Sequence, residues 1–351
     1  MPTTFSDLTE LSAPAAAAAG SHPHLVADIG GTNARFAWVA HAGATPAWPQ
    51  TLPTSDHAGP AEAAQVYLDG LAGRLNGAYQ APRRAAFAVA TAVAGDRVSF
   101  TNSQWDFSRD AVRQALGLDA LCIVNDFEAL ALSLPALQPA QLRRHPGAAT
   151  LPAADAPPGT VLAVVGPGTG LGVGAVLRTR SGWQALPGEG GHATLAAGDA
   201  LEAEVIGLVR QQFPHVSAER LLSGIGLPLL HGALAQVQGR SAPAGASAES
   251  IVQAALGGHD ALAGETLDLF CALLGGFAGN VALTLGARGG LFIGGGIVPR
   301  FADRFFASAF RPRFEAKGRF RDYLAAVPTA LIVDTQAALS GAALAIESLP
   351  A

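Results

Sequence analysis

The side chains best suited to chemistry in this chain are three carboxylates, an imidazole and an amide, each beside an apolar run or a glycine-rich turn. Asn125-Asp126 follows the apolar stretch Leu121–Val124. In open α/β sheets ligands bind beyond the carboxyl ends of strands, so Asp126 is placed to act as a general base. Asn and Asp are equally at home as N-caps of a helix starting at Phe127. Glu189 and His192 lie three apart in Leu186-Pro-Gly-Glu-Gly-Gly-His192. A carboxylate accepts two hydroxyl donors, and a neutral imidazole offers one donor and one acceptor. That pair suits a polyol, and a solvated surface turn could carry the same residues. Glu219, in His215-Val-Ser-Ala-Glu-Arg220, reads by itself as a helix-surface carboxylate, with Ser217 marking a helix start.

Three glycine clusters accompany these groups. Leu25-Val-Ala-Asp-Ile-Gly-Gly-Thr-Asn-Ala-Arg-Phe-Ala-Trp-Val39 and Leu162-Ala-Val-Val-Gly-Pro-Gly-Thr-Gly-Leu-Gly-Val-Gly-Ala-Val-Leu177 share one pattern. An apolar strand runs into glycines with a threonine, and a second apolar strand returns. Glycine permits positive φ and presents no Cβ, so backbone N–H groups can close around an anion. The third cluster, Gly294-Gly295-Gly296, ends the apolar Leu291–Ile293, and a simple loop explains it nearly as well. Two similar hairpins suggest two similar domains, each with a phosphate-facing turn. The only lysine is Lys317, after Ala316, so neither a Walker A loop nor a protein-kinase strand lysine can be built. From Gly166 to Gly174 glycine falls at every second residue, a hairpin pattern with the glycines on one face and not a dinucleotide fingerprint.

Composition bounds the rest. A chain of 351 residues, 50% hydrophobic and 14% charged, reads as compact, with two domains the better expectation. A net charge of −5 gives no reason to expect a nucleic-acid partner. Cys122 and Cys271 lie far apart in apolar runs and read as buried reduced thiols of a cytosolic protein. No basic residue precedes Arg35, so residues 1–22 lack a secretory n-region and are expected to be a disordered tail. No uninterrupted apolar run reaches membrane-spanning length, and Leu269–Leu285 reads as a buried packing helix.

Strands are expected at 25–29, 36–40, 85–90, 97–101, 121–124, 162–177 as a hairpin, 290–293 and 330–333. Helices are expected at 62–75, 109–116 with Ser108 as its cap, 127–134, 201–212, 218–222, 261–285 and 336–348. Strands alternating with helices indicate α/β layering.

With the order of these signals in view, the chain resembles the bacterial ATP-dependent glucokinase family of the type without a zinc motif. The resemblance rests on Asp28-Ile-Gly-Gly-Thr-Asn-Ala-Arg35, Thr101-Asn102, Ile123-Val-Asn-Asp-Phe127, Gly168-Thr-Gly-Leu-Gly172, Leu186–His192, His215–Arg220 with Leu222-Ser-Gly224, and Phe292–Arg300. It covers nearly everything from Leu25 to the last helix. It implies a two-domain α/β actin-like ATPase (ribonuclease H-like) fold with a ligand cleft between the domains. Residues 23–136 would form a small domain completed by 335–351, and 137–334 a large one. It implies that Asn125, Asp126, Glu189, His192 and Glu219 contact D-glucose, with Asp126 as base. It implies that Asp28, Gly30, Gly31, Thr32 and Asn33, with Gly168, Thr169 and Gly170, hold the phosphates of MgATP. Asp28 would reach Mg²⁺ through water, and Gly294, Gly295 and Gly296 would lie by adenosine. A cytoplasmic homodimer serving the entry step of glycolysis is expected by the same analogy. A kinase for fructose or mannose, or a non-catalytic sugar sensor, are the alternatives. Pro167 stands where relatives usually carry a small residue, and no loss of activity is expected from it.

Overall fold

The computed structural model describes residues 22–93, 95–100, 104–146 and 155–348. The expected tail (except His22) and the Thr101-Asn102 pair lie outside these residues. The chain divides into two compact units. The first comprises the described residues up to Ser133, Arg178–Gln184, and those from Gln336 onward; the second comprises Leu134–Leu177 and Ala185–Thr335. The segment Arg178–Gln184 falls with the first unit, where the sequence reading had put it in the larger domain.

The first unit is built on a five-stranded sheet. Strands β1 (His24–Ile29), β2 (Asn33–Val39) and β3 (Ala47–Pro53) form an antiparallel meander. After helix α1 (Pro60–Leu75), β4 (Arg84–Val89) pairs parallel with β1. A short hairpin, β5 (Arg97–Ser99) and β6 (Asp106–Ser108), leads into α2 (Arg109–Ala115). Ser108 caps α2 by accepting from the Ala111 N–H, as the sequence predicts. Strand β7 (Ala120–Asn125) pairs parallel with β4 and runs directly into α3 (Asp126–Ser133). Successive side chains of β1 alternate between two faces. Leu25, Ala27 and Ile29 join Phe36, Tyr67, Phe87 and Trp105 on one side. Val26 faces Ala86, Ala88 and Ala129 on the other.

The second unit repeats the plan. Strand β8 (Leu142–Arg144) comes first, then the hairpin β9 (Val161–Pro167) and β10 (Leu171–Arg178), then β11 (Trp183–Leu186), of which Arg178 and Trp183-Gln184 are counted with the first unit. Helices α4 (Ala200–Gln212), α5 (Ala218–Leu221), α6 (Gly226–Val237), α7 (Ala248–Gly257) and α8 (Ala261–Leu285) follow. Strand β12 (Gly290–Ile293) pairs parallel with β9 and with β13 (Thr329–Ile332). Between them lie α9 (Ala302–Ala307), α10 (Phe310–Glu315) and α11 (Arg321–Ala325). The sheet order β11-β10-β9-β12-β13 matches β3-β2-β1-β4-β7 of the first unit, with β8 added at the far edge. Helix α8 is long and apolar enough to cross a bilayer, but most of it is buried in this unit's core, as expected for a packing helix. Lys317 donates to the Gly276 carbonyl (2.8 Å) and Asn280 Oδ1 (2.6 Å) and so ties α8 to the chain after α10.

The last helix, α12 (Ala337–Glu347), returns to the first unit and packs on α3. At the crossing a Cβ on Gly341 would overlap the Ala129 carbonyl, so only glycine lets these helices approach so closely. Leu339, Ala342 and Ile346 of α12 complete the second face of the sheet.

Candidate active site

In the first unit, β1, β4 and β7 run parallel, so their carboxyl ends share one edge of the sheet. That edge carries the Asp28–Asn33 turn and the Asn125-Asp126 pair. Within the turn, the Gly30 N–H donates to the Asn33 carbonyl at 2.9 Å. Thr54, buried just past β3, donates its hydroxyl to the Gly31 carbonyl (2.9 Å) and its N–H to the Thr32 carbonyl (3.0 Å). In a trans peptide the carbonyl and the following N–H point opposite ways. Two adjacent carbonyls held on Thr54 therefore aim the Thr32 and Asn33 N–H groups together to the other side. Successive N–H groups aimed one way form a concavity for an anion. The Asn33 amide also donates to Thr32 Oγ1 at 3.1 Å.

Asp28 precedes this turn and lies across the hairpin from Arg35. Burial pushes its carboxyl above the usual range, and the Arg35 charge partly offsets this. Among the described residues no three His, Cys, Asp or Glu side chains cluster as a metal cage. Mg²⁺ keeps most of its water and uses one or two carboxylates with substrate phosphates, so a single desolvated carboxylate beside an anion-binding turn fits that ion.

At the end of β7 the capping reading of Asn125-Asp126 is realised. Asn125 Oδ1 accepts from the Phe127 N–H (2.9 Å) and the Glu128 N–H (3.4 Å), and so caps α3. Its Nδ2 donates to the Thr91 carbonyl at 3.2 Å. An amide nitrogen carries two hydrogens, so one remains for a ligand. Asp126 Oδ1 also accepts from the Phe127 N–H at 2.9 Å.

In the second unit, β9 and β12 end side by side, and their glycine turns meet. The Gly168 N–H closes the Gly168–Gly170 turn on the Gly170 carbonyl at 2.8 Å. The Gly224 N–H donates to the Gly168 carbonyl (2.8 Å), and the Ile297 N–H to the Pro167 carbonyl (3.2 Å). In the third cluster the Gly294 N–H donates to the Val165 carbonyl at 2.9 Å. Gly295 has φ +76° and its Cβ would overlap the Pro167 carbonyl, whereas a Cβ on Gly296 would meet open space. Gly295 thus serves packing against β9.

Glu219 lies in the first turn of α5, whose cap Ser217 accepts from the Arg220 N–H at 3.2 Å. Its Oε2 accepts from the Leu171 N–H at 2.8 Å, and its Oε1 lies 3.9 Å from His192 Nδ1. Hydrogen bonds from Leu195 N–H to the Val216 carbonyl (3.0 Å) and from Ala218 N–H to the Ala193 carbonyl (2.8 Å) fix the His192 turn against the Glu219 segment. Gly191 packs onto the Leu171 backbone with no room for a Cβ. Glu189 and His192 are exposed, and Glu189 stands just before the turn that carries His192. Glu219, His192 and the Gly168–Gly170 turn are therefore gathered in one place. The sequence singles out neither Thr54 nor Thr91. Each acts from a neighbouring strand or loop, and no local pattern marks it.

A family model described as Glucokinase matches residues 25–349. A glucokinase from Aromatoleum aromaticum is 47% identical over 331 residues, covering 93% of this chain and 96% of that protein. One from Paramagnetospirillum magneticum is 48% identical over 320 residues, covering 91% and 96%. Among solved structures, a glucokinase from an Antarctic psychrotroph matches with a TM-score of 0.82 at 37% identity, covering 93% of this chain and 99% of that one.

Proposed function

The chain belongs to the glucokinase family and has its actin-like α/β fold, and from that premise we propose that it transfers the γ-phosphoryl group of ATP to the 6-hydroxyl of D-glucose. The observation that carries the reading is the edge of the first unit's sheet, where the Asp28–Asn33 turn ends β1 and the helix-capping carboxylate of Asp126 follows β7, the two parallel strands flanking β4.

In this reading Asp126 accepts the proton of the 6-hydroxyl as the oxygen attacks, a contribution of about 10²–10⁴-fold. Asn125 holds α3 with its oxygen and offers its second N–H to the sugar. Glu189, His192 and Glu219 contact the remaining hydroxyls. The N–H groups of Thr32 and Asn33 in the first turn, and of Thr169 and Gly170 in the second, hold the phosphates and stabilise charge on the transferring group, the work a Walker lysine does elsewhere. Gly294 to Gly296 lie on the adenosine side. When bound, Mg²⁺ supplies neutralisation of the β- and γ-oxygens, and Asp28 is the residue to hold it through water. The same reading takes the enzyme to be a cytoplasmic homodimer.

A coupled ADP-release assay over a hexose panel, with ATP and other phosphoryl donors, tests it. Glucose with ATP is expected to give the highest kcat/KM. A clear preference for fructose or mannose would move the substrate assignment, and absence of turnover with every hexose would overturn the activity.

A further inference from the structure

Glycines in a phosphate turn are usually explained by positive φ or by room for the anion. Gly170 has neither a left-handed φ nor an open Cβ direction. A Cβ on Gly168 would meet nothing within 4 Å, but one on Gly170 would collide with Oε2 of Glu219 and lie 3.2 Å from its carboxyl carbon. The same Oε2 accepts from the N–H of Leu171, the residue that leaves the turn, at 2.8 Å. The other oxygen faces His192. The space left by Gly170 is thus filled by a carboxylate that reaches the turn from α5, 48 residues further along the chain.

We propose that Glu219 is a positioning residue for the phosphate turn as well as a sugar ligand, so that one carboxylate couples the glucose and nucleotide sites. This rests on the sugar reading given above. Oε2 fixes the exit of the turn through Leu171, and Oε1 meets the sugar beside His192. A sugar that orders this carboxylate thereby orders the turn, and by linkage a nucleotide bound at the turn raises the affinity for sugar by the same factor.

The test is Gly170→Ala, a substitution on the nucleotide side read out on the sugar side. The added methyl must displace the Glu219 carboxylate and so costs a charged hydrogen bond. Glucose Kd by calorimetry, without nucleotide, is expected to rise at least about tenfold. In a cycle with Glu219→Ala the two effects on glucose affinity should fail to add. Wild-type glucose Kd in Gly170→Ala, or strict additivity, would overturn the coupling while leaving the sugar reading intact. A wild-type protein that binds no glucose in the same titration would overturn both. Should Gly170→Ala not fold, Glu219→Asp alone decides. Withdrawal from Leu171 should raise KM for both ATP and glucose, and a rise for glucose alone would refute the shared role.

Discussion

Asp126 does two things from one position: its Oδ1 helps start α3, and its charge is the one we assign to proton acceptance. An asparagine there can keep the cap through its own oxygen but cannot take the proton. Asp126→Asn is therefore expected to lower kcat by about 10²–10⁴-fold while glucose binding by calorimetry survives. A mutant with near-normal kcat would remove the base assignment. The capping role of this pair is legible because strand, Asn-Asp and helix are contiguous, and the cap leaves the proposed base its carboxylate. The contact between Glu219 and Leu171 was not legible, since its partners are 48 residues apart and each looks ordinary in its own segment. The glycines of the second hairpin were read as one class, yet only the partner across space separates Gly170 from Gly168.

Among the elements, the sequence missed β6, the short helices α9, α10 and α11, helices α6 and α7, and the strands at three sheet edges. Strands β3, β8 and β11 all lie at the ends of their sheets. Residues there face solvent, so Ala47–Pro53 and Leu142–Arg144 carry little apolar alternation, and proline is tolerated in β3 because an edge strand can forgo a ladder donor. Helix α6 escaped notice because it opens Gly226-Leu-Pro228, although proline in a first turn costs no hydrogen bond. Strand β3 matters functionally because it delivers Thr54. Thr54→Val keeps the shape and the backbone bond to Thr32 but removes the hydroxyl from the Gly31 carbonyl. KM for MgATP is expected to rise about 2- to 12-fold, the range for one lost buried hydrogen bond, with KM for glucose unchanged and Thr54→Ser restoring the wild type. An unchanged KM for MgATP would mean that the turn holds its form without Thr54. The α3–α12 crossing carries its own expectation. Gly341→Ala must push α12 off the Ala129 carbonyl, costing about 1–3 kcal/mol, and should lower both Tm and kcat because α3 begins at Asp126. Wild-type Tm would show that the crossing has slack.

For the whole molecule, the two thiols report on the integrity of both cores. Burial pushes Cys122 up to about 11 and Cys271 up to about 12. Cys271 is buried as expected, whereas Cys122 is only half-buried; Cys271 should not react with an aromatic disulfide at pH 8 until the chain is unfolded in denaturant, and Cys122 should react slowly. Each folded value lies above that of a free thiol, so the unfolded chain ionises first on raising the pH. The stability contributed by the protonated thiols is complete below pH about 8.5 and falls as the pH climbs through the interval up to the folded values. The urea midpoint should accordingly drop between pH 9 and pH about 11, and Cys271→Ala should make that limb shallower. Two thiols that react at once in native protein would contradict the packing described here.

The return of α12 to the first unit has a consequence in time. Helix α3 and its partner are separated by residues 134–336, and nearly all of that interval belongs to the second unit. A ribosome adding about 5–20 residues per second needs roughly 10–40 s to cover it. Throughout that delay the sheet face bearing Val26, Ala86 and Ala88 waits for Leu339, Ala342 and Ile346. The second unit has all its residues in hand before α12 is translated. The unit begun first during synthesis is therefore the one completed last, and the helix that starts at Asp126 gains its backing only after most of the protein has been made.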